Sequence, residues 1–146
     1  MNVKLKSSVS LVCYAMLFGC GSSTAAVDCS EFEAERITRI DRSNERIFVT
    51  AGADDVEDTS KARELLQDLG AYIGACQEDW AADWSVSVFS ENKMVGYKDE
   101  PGLREYVMDR SWEKAYLAEF SADTGVLTRY PAVPDKRDEV VIELDD

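Results

Sequence analysis

The stretch KARELLQDLGAYIGACQ, residues 61–77, constrains the fold more than any other part of the chain. At about 100° per residue, Ala62, Leu65, Leu66, Leu69, Ile73 and Cys76 fall in one stripe with Tyr72 at its border. Glu64, Gln67, Asp68 and Ala71 take the opposite side. This is the pattern of a long helix with one face buried. Asp58, Thr59 and Ser60 offer N-cap side chains just ahead of it, and the acids before its start suit the positive end of the helix dipole.

The remaining elements read as strands and turns on either side. Arg46–Thr50 is short and β-branched, and the spacing predicts that Glu35–Ile40 pairs with it across the polar stretch 41–45. Trp84–Phe89 alternates Trp84, Val86 and Val88 with Ser85, Ser87 and Phe89, which predicts a strand with one buried face. Met94–Tyr97 is read as a return strand, and Leu103–Arg110 as a short helix. Lys114–Phe120 and Val126–Tyr130 flank a hairpin turn that ends in Gly125. Pro131 and Pro134 close that strand, and Val140–Leu144 reads as an edge strand bracketed by charge. One long helix between strands, followed by hairpins, predicts an α+β fold: an antiparallel sheet with the amphipathic helix on one face.

The first residues follow different rules. Lys4 and Lys6 precede a short apolar run, Val9–Phe18, that falls well below the about 20 residues needed to cross a bilayer. Charge, short apolar run and small residues together make a secretory signal. Leu17-Phe18-Gly19-Cys20 resembles the lipobox of bacterial lipoproteins. The resemblance implies cleavage before Cys20, fatty acylation of that cysteine, and a membrane attachment that needs no spanning helix. Because Gly21, not Asp, follows the cysteine, it also implies an outer-membrane destination, with the domain facing the periplasm. The alternative is cleavage after Thr24-Ala25-Ala26, which would free a soluble periplasmic or secreted form starting at Val27. The expected organisation is a signal peptide at 1–19, a lipid-anchored tether at 20–28 and a single α+β domain at 29–146.

The cysteines follow from this reading. Of four, Cys13 leaves with the signal and Cys20 carries lipid. Cys29 and Cys76 remain, and in an oxidising compartment they are expected to form one disulfide. It would close a loop of roughly 50 residues, worth roughly 4 kcal/mol before native strain is subtracted.

Charge and composition exclude several functions. The net charge is -13, and loss of Lys4 and Lys6 with the signal makes the remainder more negative still. Nucleic-acid binding asks for the opposite sign. There is no histidine, so Ser-His-Asp and Cys-His catalysis and His-ligated metal centres are all excluded within this chain. The densest acidic stretch, with Asp54, Asp55, Glu57 and Asp58, lacks the spacing of an EF-hand loop and is read as a partner-binding loop, not a metal site. No catalytic residue, cofactor or metal ligand is assigned. The expected function is a non-catalytic binding or interaction module, of an inhibitor-like or immunity-like kind, whose acidic surface meets a basic protein or envelope component. A carboxylate-based hydrolase acting on an envelope substrate is the alternative, because 29 acids offer many pairs and no spacing singles one out. The aromatic residues Trp80, Trp84, Trp112, Tyr97, Tyr106, Tyr116 and Tyr130 are either core packing or the lining of a cleft.

Overall fold

The amphipathic stretch is helix α3, Thr59–Cys76, in a computed structural model that describes residues 26–145. Asp58 caps it. Its Oδ1 accepts from the backbone N–H of Ser60 at 2.8 Å and of Lys61 at 3.2 Å, which satisfies two donors that a helix start otherwise leaves unpaired. The helix begins two residues ahead of the apolar period because the cap sets its end. Ala62, Leu66, Leu69, Tyr72 and Ile73 are buried. Leu65 and Cys76, at the margins of the stripe, are only partly so.

The flanking residues form a six-stranded sheet: β1 (Arg39–Asp41), β2 (Arg46–Thr50), β3 (Ser85–Phe89), β4 (Tyr116–Ser121), β5 (Val126–Arg129) and β6 (Asp138–Val141). Spatial order follows chain order. The fold is α+β and the sheet mostly antiparallel, but β2 and β3 run parallel. The exception has a simple cause. From β2 the chain enters α2 (Ala53–Glu57) and then α3, which carry it across the sheet and return it to start β3 beside β2 in the same direction. Parallel neighbours require such a crossover, and a long helix is its usual form.

Pairing sets the two faces. Ile47 lies opposite Val86, Val86 opposite Phe120, and Phe120 opposite Leu127. This row and its neighbours Val49 and Val88 meet the buried stripe of α3 in one aliphatic core. Trp84 joins them. Its ring packs over Gly70 of α3, at ordinary van der Waals distance (3.5 Å) from where a Cβ would stand.

Where the sequence predicts a strand at Glu35–Ile40, the chain instead forms helix α1, Cys29–Arg36, and only Arg39–Asp41 is extended. Asp28 caps α1, accepting from the N–H of Ser30 and of Glu31, each at 3.1 Å. Cys29 and Cys76 form the expected disulfide, which ties the first residue of α1 to the last of α3 with Cα atoms 5.7 Å apart. Phe32 stacks on Tyr72 at 5.0 Å, and the Tyr72 hydroxyl donates to Glu33 at 2.5 Å. Burial, foremost, and that carboxylate push the Tyr72 phenol up to about 12, so it remains a neutral donor. These contacts are tertiary, so a local reading of β-branched residues misses them.

Two further differences and one expectation met lie on the other side of the sheet. Met94–Tyr97 is not a strand; Asn92–Met94 forms a tight helical turn. The predicted short helix is α4, Arg104–Met108, led in by a turn at Pro101–Leu103. The strand expected from Lys114 starts at Tyr116, because Ser111–Ala115 is helix α5. The expected edge strand is β6, placed slightly earlier than its apolar residues suggest. The expected signal segment 1–19, Cys20 and tether residues 21–25 lie outside the described residues. Among the described residues no helix is long and apolar enough to cross a membrane.

Candidate functional site

The sheet face away from α3 is built by the alternate residues of the same strands. Phe48, Ser87, Glu119 and Thr128 lie side by side in register across β2, β3, β4 and β5. Thr50, Phe89 and Tyr116 form the next row. The expectation of one buried face for β3 is therefore corrected: Ser87 and Phe89 are as buried as Val86 and Val88, because a second hydrophobic cluster covers them. That cluster holds Phe48, Phe89, Met94, Leu103, Trp112 and Tyr116. Its covering pieces, α4 and α5, are five residues each and leave part of the face open.

The open part is a cleft of about 460 Å³. Its floor is aromatic: Phe89 and Tyr116 stack at 4.7 Å with planes 8° apart, and Trp112 leans on both at 5.9 and 5.2 Å. Pro131 and Ala132, in the turn after β5, form one side, and Tyr97 forms another. Tyr97 meets Phe48 edge-on at 5.5 Å and keeps 37 % of its surface exposed.

Two devices fix the Tyr97 wall. Gly96 has φ +135°, and a Cβ there would come within 2.7 Å of the Glu100 carboxylate. Only glycine suits both demands. Glu100 turns back to accept from the Tyr97 N–H at 3.2 Å and to pair with Arg39. The second device is the turn after β1. Asp41 accepts from Ser43 Oγ at 2.7 Å, from Asn44 Nδ2 at 2.8 Å and from the Tyr97 hydroxyl at 3.2 Å. The Asn44 side chain, foremost, then Ser43, holds the Asp41 carboxyl down at about 2. Burial raises the Tyr97 phenol above its ordinary value.

A polar cluster crosses the floor. Arg46 donates from Nη1 to Ser87 Oγ at 3.1 Å and pairs through Nη2 with Glu119 at 2.8 Å. Its guanidinium sits 5.8 Å from the Tyr97 ring centre. Ser87 Oγ is also 3.4 Å from the Tyr116 hydroxyl. Burial, foremost, and the Glu119 charge lift the Tyr116 phenol well above its ordinary value. Arg46 Nε and Trp112 Nε1 are buried and have no hydrogen-bond partner; among the described residues they are the only buried side-chain polar atoms in that condition. Both belong to residues that line the cleft.

The acidic stretch takes a different form from the loop expected. Ala53–Glu57 is helix α2, and its acids are largely used within the fold. Asp55 accepts from the Gly52 N–H at 2.9 Å, Asp58 caps α3, and Glu57 accepts from the Tyr130 hydroxyl. That bond, foremost, and burial push the Tyr130 phenol up to about 12. Arg129 locks the junction from the sheet, donating to Val56 O at 2.7 Å and Thr59 Oγ1 at 3.0 Å. Asp54 alone of the four makes no side-chain hydrogen bond among the described residues. Asp55 and Asp58 thus serve as helix caps, while Asp54, Glu57 and Asp58 remain exposed on the surface. Among the described residues no group of three or more acidic, cysteine or histidine side chains is placed to hold a metal ion.

Comparison with protein-family models, with curated proteins and with solved structures finds no match to this chain. Of the aromatic residues singled out in the sequence, Trp112, Tyr97 and Tyr116 line the cleft. Trp84 is core, and Trp80 is packed against that core. The sequence reading missed Arg46, Ser87 and Glu119 as a unit, since 41 residues separate the first pair and the second is joined only by strand register. The one local signal was Gly96 beside Tyr97, a glycine in a stretch otherwise read as strand.

Proposed function

We propose that this protein is a non-catalytic binding module of the bacterial cell envelope, held at the outer membrane by acyl chains on Cys20, with the aromatic cleft as its ligand seat. The anchor rests on the Lys-apolar-small pattern and on Leu17-Phe18-Gly19-Cys20. The seat rests on one observation: the two buried, unpartnered donors both belong to cleft residues, Arg46 and Trp112. Each such donor costs about 1–3 kcal/mol, and natural folds concentrate these costs where function demands them. An open hollow walled by rings, with a few fixed polar groups, is the usual form of a small-ligand site.

The cleft is a better seat for binding than for carboxylate chemistry. Two carboxylates line it, Glu119 and Asp99, and Glu119 is engaged by Arg46, whereas a glycosidase needs two free carboxyl groups facing a bond from either side, one of them held protonated. Ser87 has Arg46 and Tyr116 as its hydrogen-bonding neighbours, neither a base that would activate a hydroxyl at neutral pH, and Glu119 beside it is paired with Arg46.

The protein extracted from envelopes and examined by native mass spectrometry tests the seat. The wild type should retain a small-molecule adduct that Ala132→Trp, which fills the cleft from its side, does not. Equal retention by both proteins removes the cleft as the seat. Turnover of a glycan or ester substrate, abolished by Glu119→Gln in a folded protein, overturns the non-catalytic reading in favour of a hydrolase. The anchor is tested separately: Cys20→Ser should lose both fatty-acid labelling and partitioning into detergent.

A further inference from the structure

The sign of charge around the cleft differs from that of the molecule. The chain carries -13 overall. The groove between α1 and α3, of about 470 Å³, follows that trend, with Glu35, Asp55, Glu64 and Asp68 against Arg36 and Lys61. The cleft reverses it: Arg46, Lys98 and Arg137 against Asp99 and Glu119. Arg46 is consumed by Glu119 inside. Lys98 and Arg137, both exposed, are therefore the cations left to meet a ligand, against one remaining carboxylate of the lining, Asp99. Among the described residues Lys98 forms no ion pair, and Arg137 has only an exposed one with Glu139 at 2.8 Å, which is weak enough to exchange.

The walls specify the rest of the ligand. Tyr116, stacked on the buried Phe89, and Tyr97, whose ring stands edge-on to Phe48 and is the more exposed of these rings, line one hollow. Such surroundings favour a flat π-system, in offset or edge-on contact, over a flexible chain. On the reading that the cleft is the ligand seat, we infer that it takes a small planar aromatic carboxylate, its ring between Tyr97 and the Phe89–Tyr116 floor and its carboxylate toward Lys98 and Arg137. An anionic ligand entering a strongly acidic protein is repelled at long range. Two cations at the site are what make its approach favourable.

Isothermal titration of the full-length protein with 2-naphthoate, 2-naphthamide and 2-naphthylmethylamine separates ring from charge. The carboxylate should bind roughly tenfold more tightly than the amide, as expected for a charge-assisted contact that the amide lacks. The doubly substituted Lys98→Ala, Arg137→Ala protein should lose that preference while binding the amide unchanged. Both sites are exposed, so the fold should not suffer. Raising salt from about 0.1 M to about 1 M, where the screening length falls from about 10 to about 3 Å, should weaken the carboxylate and leave the amide alone. Tyr97→Ala and Ala132→Trp should each weaken all three probes.

If the amide or amine binds as tightly as the carboxylate and Ala132→Trp still abolishes it, the inference about charge falls and the cleft remains the seat. If probes bind equally to wild type and Ala132→Trp, both fall. If none of the three binds, the inference about ligand class is overturned, and the seat is judged on the adduct experiment alone.

Discussion

The two faces of one sheet have been finished in opposite ways. Against α3 the strands present Ile47, Val49, Val86 and Val88, and an 18-residue helix with a matching stripe closes them off. On the other face the same strands present Phe48, Ser87, Phe89, Tyr116 and Glu119, and two five-residue helices close only part of it. Branched aliphatic side chains fill space without polar atoms and reward complete burial. Aromatic rings with an arginine and a carboxylate tolerate a boundary with water, and leave donors that a filled core would not accept. Residue parity along the strands, offset once where the register of β3 on β4 shifts between Val88 and Phe89, thus divides the molecule into a stabilising face and a receptive one.

The sharpest way to break that division is through the disulfide, which belongs wholly to the α3 side. Cys29 and Cys76 are 47 residues apart. Replacing both with serine should lower stability by roughly 2–4 kcal/mol, read as a shift of the denaturant midpoint. The ring signals of Tyr97 and Trp112 in proton spectra should stay where they are. Their movement together with α1 would mean that the two faces are one cooperative unit.

A pair of single substitutions sharpens the same point. Leu69, on the inner face of α3, is fully buried, and Leu69→Ala should cost about 2–5 kcal/mol. Thr128, half-buried on the cleft floor, should tolerate alanine within about 0.5 kcal/mol. Comparable losses at both positions in urea titrations would show that the cleft face carries as much of the fold as the core.

Smaller effects test how the acidic helix is used. Asp58→Ala removes the cap of α3 and should cost about 1 kcal/mol, whereas Asp54→Ala, which breaks no hydrogen bond, should be nearly neutral. Equal, negligible effects would mean that these carboxylates are surface charges after all.

How much of this was legible in the sequence follows the same division. The α3 face could be read because its period repeats over 18 residues, long enough for Leu65 and Tyr72 at the margins not to blur it. The disulfide followed from compartment and count. The parallel pairing of β2 with β3 was not legible, because strand alternation carries no direction. The cleft was hidden for a related reason. Phe89 stood in a pattern that set it with Ser85 and Ser87, outside the core, and what covers it comes from residues 92–116, far along the chain. Helix α1 was missed because its supports, Phe32 on Tyr72 and Cys29 on Cys76, are tertiary, while Ile37, Thr38 and Ile40, which suggested a strand, lie beyond its end and are not helical. Sites assembled from short strands and turns leave only punctuation in a sequence, and here that punctuation was Gly96.

The smallest effect, and the most local, is in acid. Asp41 sits in the turn that holds the Tyr97 hydroxyl, and hydrogen bonds from Asn44 and Ser43 keep its carboxyl at about 2. An unfolded aspartate titrates near pH 4. A folded value below the unfolded one means that the unfolded chain takes up the proton first. The stabilisation is therefore complete above about pH 4 and is lost as pH falls through about 2. Asp28 and Asp109 are also held down, by the N–H of Glu31 and the hydroxyl of Ser111 foremost, so all three erode the fold in the same direction. Only Asp41 touches the cleft wall. Acidification through that range should loosen Tyr97 while the aliphatic contacts of Leu66 and Leu69 in the core, which involve no carboxylate, stay in place. Carbon-detected titration of the Asp41 carboxyl should place its midpoint near 2, with the Tyr97 ring signals shifting in step and those of Leu66 and Leu69 unmoved. Asp41→Asn should make the Tyr97 signals insensitive to pH over that range. A midpoint near 4, or a Tyr97 response that survives the substitution, would detach the wall from the turn and leave Gly96 and Glu100 as its only supports.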